Sequence, residues 1–396
     1  MRELSDSSPE EAISRVLAHK HAFGITRVAN LTGLDRTGIP VVMVCRPNSR
    51  SSAVFNGKGL DVNAAKAAGL MEAVETWHAE NIQLPLRFAS LAELQGKANV
   101  VDVEGLARRP GPTFDGQAPI LWIEGRDLFD GTPTSTPYEI VHADWRMSGP
   151  PMSGALAMST NGLASGARFP DAVRHALCEL IERDATSLWR WRLLADQDAR
   201  RLDLATVDDT SVRAALERLT DAGLDVGVWD ISTDVGVAAF YCLVADRTGE
   251  IGHIGVGAAC HPRRAAALAR AVVEAAQVRT TYILGSREDI DPGDYTPAAV
   301  AQRSQEAQRL LASPVRPRSF ASVADVALPD AEAEVDWLLD RLLAIGVRQA
   351  IAVDLTQSAF GIPVVRMVVP GLEGSDHHRA HYFPGPRARA VQARGS

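Results

Sequence analysis

Hydrophobic residues along this chain alternate between short strand-like runs and long helical patterns. The segment GIPVVMVCRP, at positions 38–47, is a short apolar run and predicts a buried strand. Between about Asn63 and Glu80, apolar residues recur every three or four positions. This spacing predicts a helix with one buried face, formed by Leu70, Met71, Val74 and Trp77.

Two further long helices show the same periodicity. One begins near Pro170, and its predicted buried face contains Val173, Leu177, Leu180 and Leu188. The other runs from about Arg263 to Leu284, with Pro262 at its first turn. Positions 225–246 contain two β-branched and aromatic runs separated by a turn, which is typical of a β-hairpin.

The last third of the chain adds an insertion, a helix and two strands. Residues 291–334 are rich in Pro, Ser, Ala and Gln and predict an insertion with a surface helix. DWLLDRLLAIG is amphipathic and is expected to end at Gly346, whereas QAIAVDLT and PVVRMVVPG predict strands. The final segment, HHRAHYFPGPRARAVQARGS, has too few apolar residues for a core of its own, so we expect it to be mobile.

Three long helices set against antiparallel strands predict one α+β domain rather than a doubly wound sheet. We expect this single domain to cover residues 24–386. Residues 1–23 should form an amphipathic helical extension that begins after the capping stretch SSPEE, and residues 387–396 should form a C-terminal tail.

Composition and charge narrow the range of functions. The chain has 396 residues, of which 46% are hydrophobic and 23% charged, as in ordinary globular proteins. Its net charge of -8 argues against broad binding to nucleic acids or anionic membranes. It contains no apolar run of about 18 residues that could span a membrane. Its four cysteines are scattered and no signal peptide precedes them, which favours a cytoplasmic protein with free thiols.

Each long helix places oxygen-bearing side chains one turn apart. Glu72 and Glu75 lie among Ala65, Ala68 and Ala79, with no basic residue at helical spacing. The second helix carries Glu179 and Glu182, with Asp171 two turns earlier on the same side, and the third carries Glu274 and Gln277. If the helices converge, like charges would accumulate, and divalent cations such as Mg²⁺ would neutralise them.

Basic residues would complete a phosphate-binding site, with Lys58 in NGKG and Arg279 among the candidates, together with Arg46 and Arg287. Simpler explanations remain open at this point. A solvated helix face accounts equally well for Asp171, Glu179 and Glu182, and it is an even alternative for Glu72 and Glu75. A buried salt bridge to Arg270 or Arg279 would satisfy Glu274 and Gln277. A lysine between glycines is also common in ordinary turns, and GVGAACHP is more typical of a strand end than of a dinucleotide loop.

In the order and spacing of its motifs, the chain resembles the YcaO family. The resemblance runs from GITRVANLTGLDRTGIPVV through NGKG, EAVETWHAE, STNGLASG, CELIERDA, GHIGVGAACHP and VVEAAQVR to IPVVRMVVPGLE, roughly residues 24–375. The amino-acid sequence of the helices, EAVETWHAE above all, is most similar to that of the members that work with a TfuA partner protein. The resemblance implies a YcaO-type α+β fold with an acidic Mg²⁺-ATP cleft.

The resemblance also implies roles for individual residues. It marks Glu72, Glu75, Glu179, Glu182 and Glu274 as ligands of Mg²⁺ and ATP, and Lys58, Ser165, Asp171, Gln277 and Arg279 as further contacts of ATP. No catalytic residue is identified. Three positions depart from the family pattern, because Ala68, Thr76 and Ala167 stand where a serine, an arginine and an asparagine are common. Ser165 or Arg168 is expected to substitute for the missing asparagine.

The implied activity is ATP-dependent modification of a peptide backbone amide. The similarity of the helices to TfuA-associated members and a tail that is only partly proline-rich favour thioamide formation. The alternatives are azoline or amidine formation in ribosomal peptide natural-product biosynthesis, and a non-catalytic subunit that binds nucleotide or peptide. We expect a ribosomally made peptide or protein substrate and a TfuA-like partner that delivers it, since no leader-peptide-binding domain is recognised. A homodimer is a further possible state of the protein that the sequence does not decide.

Overall fold

Antiparallel sheets and long helices make up the computed structural model, which describes residues 8–146, 149–247, 253–287, 290–312, 316–374 and 383–395. The helices are α1 (Pro9–Ala18), α2 (Val62–Glu80), α3 (Leu91–Leu94), α4 (Phe169–Arg190), α5 (Leu194–Asp198), α6 (Thr210–Asp221), α7 (Arg264–Leu284), α8 (Pro297–Leu311), α9 (Ala331–Ala344) and α10 (Pro386–Gly395). Short 3₁₀ turns lie at Thr32–Leu34, Val103–Gly105, Tyr138–Ile140, Leu204–Thr206, Pro292–Tyr295 and Phe320–Ser322.

The strands are β1 (Arg27–Asn30), β2 (Val41–Cys45), β3 (Val54–Lys58), β4 (Leu86–Ala89), β5 (Ile120–Asp127), β6 (Pro133–Pro137), β7 (Leu163–Ser165), β8 (Leu202–Asp203), β9 (Leu224–Asp230), β10 (Ala238–Asp246), β11 (Gly255–His261), β12 (Arg318–Ser319), β13 (Ile351–Asp354) and β14 (Val364–Val368). Every pairing between them is antiparallel except that of β8 with β12. The prediction of a mixed α+β fold is confirmed.

The chain divides into two compact units, and the division falls within α2. Ser7–Ala73 and Leu193–Ala327 belong to the first unit, and Val74–Arg192 and Leu328–Ser396 belong to the second. The sequence-based boundaries of a single main domain at 24–386 and of an insertion at 291–334 stay predictions.

The first unit contains two three-stranded sheets, ordered β1-β2-β3 and β11-β10-β9. The predicted hairpin is confirmed, since β9 and β10 pair with Phe240 opposite Asp230. The long helix α7 packs against β10, β11 and β3. Its buried side chains, such as Leu268 and Val272, share a core with Leu219 of α6 and Phe240 of β10.

The second unit contains a six-stranded sheet ordered β4-β5-β13-β14-β7, with β6 paired to β5. The helix α4 packs against β7, β14 and α9. Three members of its predicted apolar stripe are fully buried, namely Val173, Leu177 and Leu188. The two strands expected from the C-terminal sequence are confirmed as β13 and β14, which pair with each other.

Short helices lie near both ends of the described chain. The predicted N-terminal helix is confirmed as α1, where Ser8 accepts from the backbone N–H of Glu11, whose carboxylate accepts from that of Ser8. The described part of the C-terminal tail differs from the expected mobile segment, because it forms α10 and packs on α4. None of the helices in the described ranges combines the length and the apolarity needed to cross a membrane.

Candidate functional site

Two glycines position Lys58 at the end of β3. A Cβ atom on Gly57 would lie 2.0 Å from the carbonyl oxygen of Ala65, and one on Gly59 would lie 2.6 Å from the backbone nitrogen of the same residue. Any side chain at either position would therefore collide with α2. The NGKG motif allows close packing of the strand on the helix, which fixes the direction in which Lys58 leaves the strand.

Lys58 forms an ion pair with Glu274 of α7. The distance from Nζ to Oε2 is 2.9 Å, and the side chains are 32% and 21% exposed, respectively. Gly257 of β11 permits this position, since a Cβ there would lie 2.2 Å from the carbonyl oxygen of Ala271 and 2.8 Å from Cβ of Glu274. The segment GVGAACHP thus contains a strand packed on α7, in agreement with its interpretation as a strand end rather than a dinucleotide loop. Glu274 thus has a salt-bridge partner, as in the structural alternative to a ligand role, and that partner is Lys58.

The next turn of α7 carries Gln277, which is 8% exposed. Its side-chain oxygen is buried and accepts no hydrogen bond within the described part of the chain. Its backbone carbonyl accepts from the hydroxyl of Thr281, and that hydroxyl oxygen accepts from the side-chain amide of Asn56 in β3. Asn56, which the sequence analysis did not single out, lies on the same face of β3 as Lys58.

Arg279 has a structural role in the first unit. Its Nε atom lies 3.0 Å from Oδ2 of Asp35, in a pair whose side chains are 7% and 3% exposed. A second guanidinium nitrogen donates to the carbonyl oxygen of His253. The guanidinium is thus held by buried partners in this structure, and its assignment as an ATP contact stays a prediction.

The second unit holds Glu75 rigidly. Its Oε1 atom accepts from the backbone N–H of Ser165 at 2.9 Å and from the hydroxyl of Ser165 at 2.6 Å. Ser165 ends β7 and is buried, so the pair forms a charge-assisted contact at the edge of the sheet. Ser165 therefore acts here as the residue that orients Glu75. Glu72, one turn earlier on α2, belongs to the first unit and is half-buried.

Glu179 and Glu182 share one arginine. Arg183 donates to Oε1 of Glu182 at 2.9 Å and to Oε1 of Glu179 at 3.3 Å. Glu179 also accepts from the backbone N–H of Gly162 at 3.0 Å. Because Gly162 and Ser165 are three residues apart, an extended chain separates them by about 10 Å, so Glu75 and Glu179 are tethered to neighbouring points of one segment.

The sequence analysis missed Arg183 and Arg366 as members of this site. Arg183 directly follows Glu182 in CELIERDA, and the spacing of four residues from Glu179 is the signal that could have identified it. Arg366 lies in β14 and is 3% exposed. Burial lowers the pKa of its guanidinium to about 10, and the charge of Glu179 partly opposes that shift. A single charged residue inside the apolar run PVVRMVVP was the available sequence signal.

Asp171 lies at the first turn of α4 and is 3% exposed, which excludes the solvated-face explanation for this residue. Its Oδ2 atom accepts from the backbone N–H of Arg168 at 3.2 Å. Its Oδ1 atom is buried and has no hydrogen-bond partner among the described residues. Glu182, with 8% of its surface exposed, also lies away from the solvated face.

These side chains fit a hard divalent cation. Oxygen atoms make up the whole candidate donor set, as Mg²⁺ prefers, and Asp171 and Gln277 each hold a buried oxygen without a partner. Within the described ranges, His, Cys, Asp and Glu residues form no group of three or more that could hold a metal ion by themselves. The shared cleft expected from the sequence stays a prediction.

Sequence comparison adds a decisive observation. Residues 56–373 match the family described as YcaO cyclodehydratase, which binds ATP and Mg²⁺. The chain belongs to the YcaO family. The two cofactors that the motifs implied, ATP and Mg²⁺, are those of the family description.

Relatives from bacteria and archaea match almost the whole YcaO chain. A protein described as lying in the tfuA 3′ region of Rhizobium leguminosarum bv. trifolii is 35% identical over 373 residues, covering 92% of this chain and 88% of the relative. A protein of Methanothermobacter thermautotrophicus is 31% identical over 379 residues, covering 92% and 94%. The predicted similarity to members associated with TfuA is thus supported by the first relative.

Solved structures confirm the YcaO-type fold. The YcaO of Methanopyrus kandleri bound with AMPPCP and Mg²⁺ superposes with a TM-score of 0.71 at 23% identity and covers 93% of this chain and 92% of that one. A heterocyclase in complex with substrate and cofactor gives a TM-score of 0.78 at 20% identity over 94% of this chain. This chain spans only 53% of the heterocyclase. At these identities the likeness establishes the fold alone.

Proposed function

We propose that this YcaO protein modifies a backbone amide of a ribosomally made peptide at the expense of ATP. The observation that carries the proposal is the buried and half-buried carboxylate set of the second unit. Glu75, Glu179 and Glu182 each accept a hydrogen bond from a named donor, which orients their carboxylate oxygens. Preorganised carboxylates of this kind are expected where a Mg²⁺-nucleotide is bound.

The chemistry follows from the poor reactivity of an amide. A nucleophile adds to the carbonyl carbon, and the π electrons of the carbonyl move onto oxygen. That oxyanion attacks the γ-phosphorus of ATP, and ADP leaves. A proton then leaves sulfur or the amide nitrogen, carbon forms a double bond to sulfur in a thioamide or to nitrogen in an azoline, and inorganic phosphate departs with the former amide oxygen. When bound, Mg²⁺ neutralises charge on the phosphate oxygens.

The chain's own residues hold and orient the reactants. Ser165 fixes Glu75, and Arg183 fixes both Glu179 and Glu182, so that these carboxylates need no reorganisation when the cation binds. In the first unit, Glu274 and Lys58 neutralise each other, and Lys58 would be released toward a phosphate when Glu274 engages a cation.

Within this reaction class we propose thioamide formation, in which sulfide is the nucleophile and a TfuA-like protein is the partner. The relative from the tfuA 3′ region supports this choice. The described tail supports it as well, because it forms a helix docked on α4 rather than an extended proline-rich segment.

Azoline formation is the second candidate, with a Cys or Ser side chain of the peptide as the nucleophile. The family description as a cyclodehydratase favours it. A non-catalytic subunit that binds nucleotide or peptide is the remaining alternative. We propose a cytoplasmic location, which the free thiols of all four cysteines support.

The mass of the product distinguishes these functions. The protein is incubated with Mg²⁺-ATP, a TfuA-like partner, candidate peptides encoded near the gene, and sulfide, with AMPPCP in place of ATP as the control. Exchange of oxygen for sulfur makes the peptide heavier and supports thioamide formation, whereas loss of water makes it lighter and supports azoline formation. No ATP-dependent change of mass with any peptide would contradict the enzymatic proposal.

A further inference from the structure

A loop of the second unit carries a buried imidazole. His142 follows the 3₁₀ turn Tyr138–Ile140 and is 1% exposed. Its ring packs on that of Tyr138 with a centroid distance of 4.7 Å. The neighbouring backbone N–H of Ala143 donates to the carbonyl of Ala79 in α2 at 3.0 Å, which anchors the loop to the helix that carries Glu75. The position of the ring is therefore well determined.

Hydrogen bonding defines the tautomer of His142. Its Nδ1 atom accepts from the backbone N–H of Asp144 at 2.9 Å, so the lone pair is on Nδ1 and the proton is on Nε2. That Nε2 atom is buried and has no hydrogen-bond partner among the described residues. A buried donor without an acceptor costs about 1–3 kcal/mol, so its retention needs a reason.

The charges around His142 indicate what the donor would bind. Burial is the main cause that lowers the pKa of the imidazole, Asp144 partly opposes the shift and the positive charge of Arg366 adds to it, so that the pKa is about 4. The ring is therefore neutral at pH 7. Arg366 in turn interacts with Glu179. Backbone pairing places Arg366 opposite Leu163, between Gly162, which holds Glu179, and Ser165, which holds Glu75. A neutral N–H donor and a buried cation that interact with each other both complement an oxygen that carries negative charge.

We propose that Nε2–H of His142 donates a hydrogen bond to an anionic oxygen of the reacting complex, and most specifically to the amide oxygen as it becomes an oxyanion. The inference rests on the proposed function. No proton is transferred, since the donor stays protonated while the carbonyl π electrons move onto oxygen. A phosphate oxygen of ATP has the same chemistry, and the two sources are separated by experiment.

The substitution His142→Asn removes the N–H donor at Nε2 but keeps an acceptor for the backbone. The side-chain oxygen of asparagine can accept from the N–H two residues later, as Nδ1 does here, so the turn at Asp144 is kept. His142→Gln restores an N–H at greater reach and is the conservative rescue. His21→Asn, an exposed position of the first unit, is the matched control. Peptide turnover, the Kd of Mg²⁺-AMPPCP and the thermal midpoint are measured for each variant.

We expect His142→Asn to lower kcat about 100-fold, as for removal of one oxyanion donor, with an unchanged Kd for Mg²⁺-AMPPCP. The thermal midpoint should fall somewhat, because the smaller side chain leaves space beside Tyr138. His142→Gln should recover part of the loss, and His21→Asn should match the wild type. A weakened Kd would reassign the donor to a phosphate oxygen and overturn the specific assignment to the amide. Turnover of His142→Asn within twofold of the wild type would overturn the inference altogether.

A measurement on the wild type keeps the proposal testable if the variants do not fold. The nitrogen NMR signal of His142 Nε2 should shift when Mg²⁺-AMPPCP and peptide are added together, and peptide alone with Mg²⁺ is the control. An unchanged signal would contradict the inference. Failure of the proposed function is recognised separately, because the wild type would then show no ATP-dependent change of peptide mass.

Discussion

The C-terminal helix α10 is held by a buried ion pair whose removal has a calculable effect. Arg387 approaches Asp184 of α4 with two of its nitrogens, each 2.9 Å from a different carboxylate oxygen. The Asp184 side chain is 0% exposed and that of Arg387 is 17% exposed. Removing one partner of a buried pair leaves an uncompensated charge and costs about 3–5 kcal/mol. Because water reaches part of Arg387, we expect Arg387→Ala to destabilise the second unit by about 3 kcal/mol.

Thermal unfolding measures this loss. For a cooperative unit of about 150–250 residues, each kcal/mol lowers the midpoint by about 2–4 °C, so Arg387→Ala should lower it by about 6–12 °C. Arg389→Ala is the matched control, because Arg389 is exposed and its side chain donates, among the described residues, only to the carbonyl of Pro384. We expect the control to change stability by less than about 0.5 kcal/mol.

A double variant isolates the charge as the cause. In the wild type, the backbone N–H of Glu373 donates to Asp184 at 3.0 Å. Adding Asp184→Asn to Arg387→Ala removes the buried charge but keeps an oxygen that accepts this hydrogen bond. The double variant should therefore recover most of the lost stability. The reasoning would be refuted by an Arg387→Ala midpoint within 2 °C of the wild type, or by a double variant that is less stable than the single one.

Three further predictions concern the carboxylates and the buried histidine. Glu182→Gln should abolish ATP turnover, since it removes a cation ligand, and it should change the thermal midpoint little, because the weakened bond from Arg183 is offset by relief of repulsion with Glu179. Unchanged turnover would refute the ligand assignment. Ser165→Ala removes a 2.6 Å charge-assisted bond to Glu75, worth about 1.5 kcal/mol, and should lower turnover about tenfold, an effect that a steady-state ATPase assay would detect. Acid should destabilise the protein through His142, because the unfolded state binds a proton near the ordinary pKa of 6.5 and the folded state only near 4. Between pH 7 and pH 5 this histidine should account for a loss of about 2 kcal/mol in urea unfolding, and a His142→Asn variant with the same loss would contradict that assignment.

Periodicity predicted the hairpin and the long helices α4 and α7, because the apolar faces of these elements are buried within single units. The buried stripe of α4 and the pairing of β9 with β10 are examples. The C-terminal helix was missed because the forces that stabilise it are not local. Its sequence has almost no apolar face, and its order depends on Asp184 and on Glu373, which accepts from the backbone N–H groups of Gly385 and Ala388.

The carboxylates of the candidate site were predictable as pairs, but their partners were not. Lys58 and Glu274 are 216 residues apart in sequence, and Ser165 and Glu75 are 90 apart, so no spacing rule connects them. His142 was missed for a related reason. A single histidine carries no pattern, and its tautomer and its unpartnered nitrogen become apparent only when its surroundings are known.

The fate of the amide oxygen tests the central claim most directly. A peptide whose backbone amides carry heavy oxygen is incubated with the protein, its TfuA-like partner, sulfide and Mg²⁺-ATP, and the released inorganic phosphate is examined by mass spectrometry. Phosphorylation of the amide oxygen predicts one heavy oxygen in phosphate for each modified amide. Modified peptide accompanied by unlabelled phosphate would contradict the account.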